Sequence, residues 1–192
     1  TVNIRRENKS TLLQTNVEKS GYQEVMSGDT IRYDIFHIQN LSLVPLNNFY
    51  LHESIPSDAT RITRLFTGTY NQNLNYTILY KTNKNSTFKV LKDNLFTDRV
   101  YEIDCTQGLQ TGEYVTDIKF EFGTVEVGFR EVERPFLYCK VNENLPDKYQ
   151  FTNRAEVGGT YEMQTVKTED NFTTIVYVPA PENKGKLPKT GY

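Results

Sequence analysis

The sequence predicts an all-β protein and, within that class, a β-sandwich. Three observations carry this. Apolar and polar residues alternate over many short runs, the period of half-buried strands, and helical periodicity is nowhere sustained. Tyr (13) and Phe (11) are plentiful while Trp is absent and Met is rare (2), a usage suited to aromatic cross-strand pairs. Turn residues punctuate the chain every 8 to 12 residues or so, roughly the spacing of sandwich strands.

The 192 residues are enough for a sizeable core. A net charge of −2 and a pI near 5.8 give no reason to expect nucleic acid or an anionic membrane surface as partner. No apolar run approaches the roughly 18 residues needed to span a bilayer as a helix. Residues 1–16 are polar and weakly patterned and read as an N-terminal segment or the end of a preceding domain. Residues 17–178 form the domain, and 179–192 are a linker with a terminal motif.

From Val17 a short strand leads to a turn at Ser27-Gly28-Asp29, then to a longer strand from Thr30 to about Gln39. Within it Ile31, Tyr33 and Ile35 share one parity and Phe36 and Ile38 the other, which predicts a β-bulge near Ile35. After Val44-Pro45, a strand from Leu46 to Ser54 places Phe49, Leu51 and Glu53 on one face, and Ile55-Pro56 ends it. Further strands are expected at 60–67, 74–82 and 86–92, the last two joined by a hairpin tip at Asn83-Lys84-Asn85. Others follow at 98–104, 113–122, 124–127 and 134–142. In the strand from Phe151 to Val157, Phe151, Ala155 and Val157 share a face, and Gly158-Gly159 is expected to stop the run. A last strand spans Phe172 to Val178.

The same parity puts three polar residues inward. Glu53 shares a face with Phe49 and Leu51, Asn153 lies between Phe151 and Ala155, and Lys19 follows Val17 by two. An unpaired buried charge is costly, so a core holding a Lys and a Glu needs them adjacent, neutralised or chemically joined. Desolvation favours the neutral form of each. A neutral amine is a nucleophile, a carboxamide carbon an electrophile, and a protonated carboxyl can polarise the carbonyl and carry protons as ammonia leaves. The product is an intramolecular isopeptide bond. The alternative keeps the domain without the bond: Lys19 snorkels to solvent, Glu53 makes an ordinary salt bridge and Asn153 bonds a turn.

The segments SGDTIRYDIFHIQN, VPLNNFYLHESIP and FTNRAEVGG, in that order, resemble the pattern of immunoglobulin-like, CnaA-type isopeptide domains of Gram-positive pilins and surface stalks. The resemblance covers about residues 17 to 160. It implies an immunoglobulin-like sandwich with hairpin insertions, with Lys19 joined to Asn153 and Glu53 as the catalytic acid. The family's usual acid is Asp, so Glu53 is one methylene longer.

The chain ends in Leu187-Pro188-Lys189-Thr190-Gly191-Tyr192, which resembles the LPXTG sorting signal of sortase-anchored surface proteins. That resemblance puts the scissile bond between Thr190 and Gly191 and makes sortase a partner. Pro188 keeps the peptide extended and Gly191 leaves little bulk beside the attacked carbonyl. Thr190 would pass to a peptidoglycan precursor or to a Lys of the next pilin subunit. The short span from the last strand favours the pilin, at most about 35 Å of chain. The expected setting is the bacterial surface, with no membrane in the mature form. A host matrix protein or glycan is the partner if the chain is instead an adhesin domain contacting it through residues 60–115.

Cys105 and Cys139 each flank a strand and are candidates for a disulfide, a pairing that sequence leaves open. A thioester from either thiol to a Gln such as Gln107 needs more than matching residue types. His37 and His52 lie in no ligand-spaced cluster, so no metal is expected and no cofactor. No catalytic constellation or phosphate loop is visible, and the protein reads as a non-enzyme. Lys81, Lys84, Lys89 and Lys92 read as a solvated hairpin face.

Overall fold

The structure is a computed structural model, and it describes residues 12–182 and 185. Fourteen strands and no helix occur among them. They are β1 (Thr15–Ser20), β2 (Glu24–Val25), β3 (Thr30–Asn40), β4 (Leu46–Ser54), β5 (Thr60–Phe66), β6 (Thr69–Tyr70) and β7 (Asn75–Thr82). After these come β8 (Asn85–Phe96), β9 (Glu102–Asp104), β10 (Val115–Val125), β11 (Glu131–Glu133), β12 (Phe136–Val141), β13 (Gln150–Tyr161) and β14 (Gln164–Val176). The all-β expectation holds.

The strands run in the order β1-β3-β12-β5 on one side and β10-β4-β13-β14-β2 on the other, with a single pair, Val115 opposite Ile62, joining the halves. The path curls so that the halves face each other across one core. Tyr33, Phe49, Phe120 and Phe129 are its largest fully buried side chains. The open seam lies between β1 and β14, and polar groups close it. Thr15 and Thr168 hydroxyls meet at 2.8 Å, Thr168 also donates to the Thr15 carbonyl, and the Lys19 N–H donates to Asp170 Oδ2 at 2.7 Å. The hairpin β7–β8 hangs off β10 and is the expected insertion, its turn at Asn83-Lys84.

One local expectation holds and two change. The bulge expected near Ile35 falls at His37-Ile38, between the pairs Glu18–Phe36 and Asn16–Gln39, where the register against β1 shifts and His37 takes φ 49°. The Glu131 carboxylate takes the freed N–H groups of His37 and Ile38 at 3.0 and 2.7 Å. Residues 115–125 form one strand, with no break at 122–124. Gly158-Gly159 does not stop β13, which runs on to Tyr161. A Cβ at Gly158 would lie 2.7 Å from the Tyr50 hydroxyl and 2.8 Å from the Val166 carbonyl, so glycine is there for close approach rather than for a turn.

Candidate functional site: a buried amine, carboxyl and carboxamide

The three polar residues picked out by parity arrive from three strands. β1 alternates buried and half-buried positions from Thr15 onward, which turns Lys19 inward, opposite Ile35 of β3. Near the end of β4, Glu53 faces Ile118 of β10 on one side and Ala155 of β13 on the other. Asn153 is two residues from Ala155 on the same face, so it is the diagonal neighbour of Glu53, within reach of a long side chain.

Glu53 and Asn153 are fully buried, and the Lys19 side chain has no exposure either. Lys19 Nζ meets Glu53 Oε2 directly and sits 4.8 Å from the centroid of the Tyr33 ring. The extra methylene of Glu53 therefore does not keep it from the amine. Lys19 does not snorkel to solvent, and Asn153 does not bond a turn. Three atoms are left without hydrogen-bond partners: Glu53 Oε1, Asn153 Oδ1 and Asn153 Nδ2. Each such orphan costs about 1–3 kcal/mol in a dry interior.

Burial pushes the Glu53 carboxyl up, against the opposing pull of the Lys19 ammonium. Burial likewise pushes the Tyr33 phenol up to about 12, and its hydroxyl lies 3.5 Å from Thr174 Oγ1. The cluster holds a nucleophile, an electrophile and a proton carrier among fully buried side chains. That is the set amide exchange requires.

Sequence reasoning missed two neighbours, Tyr33 and Thr174. An aromatic at an inward strand position reads as core, and Thr174 lies in a stretch with little alternation. No signal in the residues separates them from packing.

The other candidates divide. Cys105 and Cys139 are both free and buried, so the pairing left open is not made. Cys139 pairs with Ile62 of β5, while Cys105 donates its N–H to Thr63 on the other side of that strand. Two strand spacings, about 9.5 Å, separate them, beyond the roughly 7 Å a disulfide spans. Burial pushes the Cys105 thiol up to about 12, and the Gln107 amide is held by Asp104. His52 Nε2 lies 2.7 Å from Asp117 Oδ2 with Phe88 edge-on, a packed pair. His37 is the bulge residue. No cluster of metal-ligating side chains occurs among the described residues. Leu187, Pro188, Lys189, Thr190 and Gly191 lie outside the described residues. The last strand is followed by Val178, whose N–H donates to Asp147 Oδ1 at 2.8 Å. A groove of about 600 Å³ opens where the β7–β8 hairpin leaves β10 and β4, lined among others by Asn48, Tyr50, Asn75, Asn94, Lys119 and Glu121.

No family model matches this chain, and no curated protein matches it at a significant level. Solved structures with a similar layout include a cohesin module from a Clostridium perfringens family 33 glycoside hydrolase, at 10% identity and TM-score 0.39, covering 88% of this chain and 98% of that one. The collagen-binding domain of a Staphylococcus aureus adhesin aligns at 9% identity and TM-score 0.38, covering 84% and 97%. AggA, the major subunit of Escherichia coli aggregative adherence fimbriae type I, aligns at 8% identity and TM-score 0.36, covering 88% and 97%. Likeness this slight says nothing of ligand or partner, and the sandwich stands on the strand pairing itself.

Proposed function

We propose that this chain is a structural module of a Gram-positive cell surface, joined by sortase at Thr190 to a pilus or the wall and stiffened by a Lys19–Asn153 isopeptide bond. The observation that carries the bond is the buried carboxamide with both atoms unpaired, beside a buried Lys–Glu contact. The attachment role rests on the terminal motif alone.

In the proposed reaction Lys19 gives a proton to Glu53, whose raised affinity for it follows from burial. The neutral Nζ attacks Asn153 Cγ, and the carboxyl, now a donor, polarises the carbonyl. As the tetrahedral carbon collapses, the Cγ–Nδ2 bond breaks: Nδ2 takes the proton held by Glu53 and leaves as ammonia, while Nζ passes a second proton to Glu53, leaving a neutral secondary amide beside a protonated acid. One C–N bond replaces another, so no oxidant or cofactor is needed. The link closes a loop from residue 19 to residue 153, and a load pulling on the two ends of the domain bypasses everything inside that loop. A fibre subunit gains by this, since chain within the loop cannot be drawn out while the bond holds.

Intact mass tests it. The protein should weigh one ammonia less than its sequence, a digest should contain a branched peptide joining Lys19 to Asn153, and Lys19→Ala should restore the mass expected for that variant. Full sequence mass in the wild type would remove the bond from the account. Separately, a sortase should transfer the chain to an amine nucleophile, and Thr190→Ala should abolish transfer.

The polar groove beneath β7–β8 favours a second reading, an adhesin domain binding a host matrix protein or glycan. A binding screen against matrix proteins and glycans separates the two, because a pure stalk shows no saturable signal.

A further inference from the structure

We infer that Asp170 is a positioning residue for the cross-linking reaction: with Thr168 it clasps β1 to the strands that carry Glu53 and Asn153, and so sets the level at which Lys19 meets them. The inference rests on the Lys19–Asn153 reading and adds to it a part for the open seam.

The need for a clasp follows from the topology. Lys19 comes from β1, whose ladder is with β3 alone, whereas Glu53 and Asn153 sit on β4 and β13 in the other half of the path. No backbone ladder therefore fixes β1 against the strands that carry its reaction partners. Side chains of β14 do so instead. Asp170 Oδ2 accepts the backbone N–H of Lys19 itself at 2.7 Å, and the Thr168 hydroxyl donates to the Thr15 carbonyl at 2.8 Å. The row to which Asp170 belongs decides the outcome. Asp170 is the cross-strand partner of Ala155, which on its other side is the partner of Glu53. Holding the Lys19 N–H at Asp170 thus puts the lysine on the row of the acid it contacts, with Asn153 two residues along β13 on the same face.

The clasp is itself fixed at both points. Asp170 Oδ1 accepts the Asn171 N–H at 3.1 Å, which holds the rotation of the carboxylate. Thr15 is buried, and its hydroxyl meets that of Thr168 at 2.8 Å and lies 3.3 Å from the Val157 carbonyl of β13. Asp170 grips the lysine by its backbone and leaves Nζ to Glu53. Its part is therefore to hold the nucleophile's strand in place, while the proton traffic stays with Glu53.

Asp170→Ala removes the acceptor and leaves the three reacting side chains in place. Full-length protein purified after a short induction is incubated, and the linked fraction is followed by intact mass. The wild type should be fully linked at the first time point, and Asp170→Ala should link roughly tenfold slower or more, since a small misplacement of the amine is enough. Asp170→Asn keeps an acceptor oxygen for the Lys19 N–H and should link at nearly the wild-type rate. Thr168→Val, which removes the second point of the clasp, should also slow linking, and Thr168→Ser should restore it. A merely structural role is measured apart, in the Asn153→Ala background where no link can form, and there Asp170→Ala should stay folded and melt only slightly lower. Should Asp170→Ala fail to fold, Thr168→Val carries the test with the same outcomes. Complete linking of Asp170→Ala at the first time point, or Asp170→Asn as slow as Asp170→Ala, would overturn the inference while leaving the bond intact. A wild type of full sequence mass would overturn both.

Discussion

Replacing Asn153 by Ala separates a linked from an unlinked wild type by the sign of its effect. The variant loses the electrophile but keeps the Lys19–Glu53 contact, so no buried charge is stranded. If the wild type is linked, the bond closes a loop of about 134 residues, which by chain entropy stabilises the fold by about 5 kcal/mol. For a domain of this size each kcal/mol moves the melting temperature by about 2–4 °C, so Asn153→Ala should melt about 10–20 °C lower. If the wild type is unlinked, the same change removes two orphaned polar atoms that each cost about 1–3 kcal/mol, set against the small cavity left by a shorter side chain. The variant should then melt level with the wild type or above it. Calorimetry read beside intact mass decides. A variant that melts within about 2 °C of the wild type, or higher, refutes the reasoning even if a mass deficit is found.

Glu53→Gln should abolish the ammonia loss, and it should melt below Asn153→Ala, because Lys19 keeps a buried charge with no carboxylate, at about 3–5 kcal/mol. In Lys19→Met the carboxyl stays buried without its lysine, so burial, opposed only by the weaker pull of His52, sets its shift upward from the ordinary 4.5. A group whose folded value is raised lends its stability in acid and withdraws it as pH climbs through that value. Urea unfolding of Lys19→Met should therefore weaken from pH 5 to pH 8, by at most about 1.4 kcal/mol per unit, and a flat profile would contradict it. Gly158→Ala should cost about 2 kcal/mol in the same assay, since its Cβ meets the Tyr50 hydroxyl and the Val166 carbonyl inside contact distance.

What could be read in the residues was whatever parity expresses. Glu53 and Asn153 sit between apolar neighbours of the same parity, and each proved fully buried. Lys19, two residues after Val17, turned inward by the same rule. Parity failed where the inner face is itself largely polar. In the first half of β14, Gln164 to Asn171, the half-buried positions hold Val166, Thr168 and Asp170 against exposed polar residues, so the sequence shows no apolar alternation and predicts no strand there. The glycines at 158 and 159 were read by their usual habit of breaking strands. Their actual cause, the Tyr50 side chain and a neighbouring backbone, comes from strands distant in sequence. The cysteines could not be resolved for a related reason, since the strand that lies between them is set by pairing and not by anything near Cys105 or Cys139.

The unpaired carboxamide also bears on why these three residues share one interior. A Lys–Glu pair alone would already be costly to bury, and an apolar pair of similar volume is often as stable or more so. Adding an amide with no partner for either atom makes the unreacted cluster worse. The proposed reaction would reverse that account: it would expel Nδ2, remove the lysine's charge, and leave a secondary amide whose carbonyl can take a hydrogen from the protonated Glu53. Each orphan atom of the cluster would then be lost or paired in the product. Such an arrangement destabilises the reactant more than the product, and the fold itself supplies the driving force, since the three side chains meet only after β1, β4 and β13 have closed on one core.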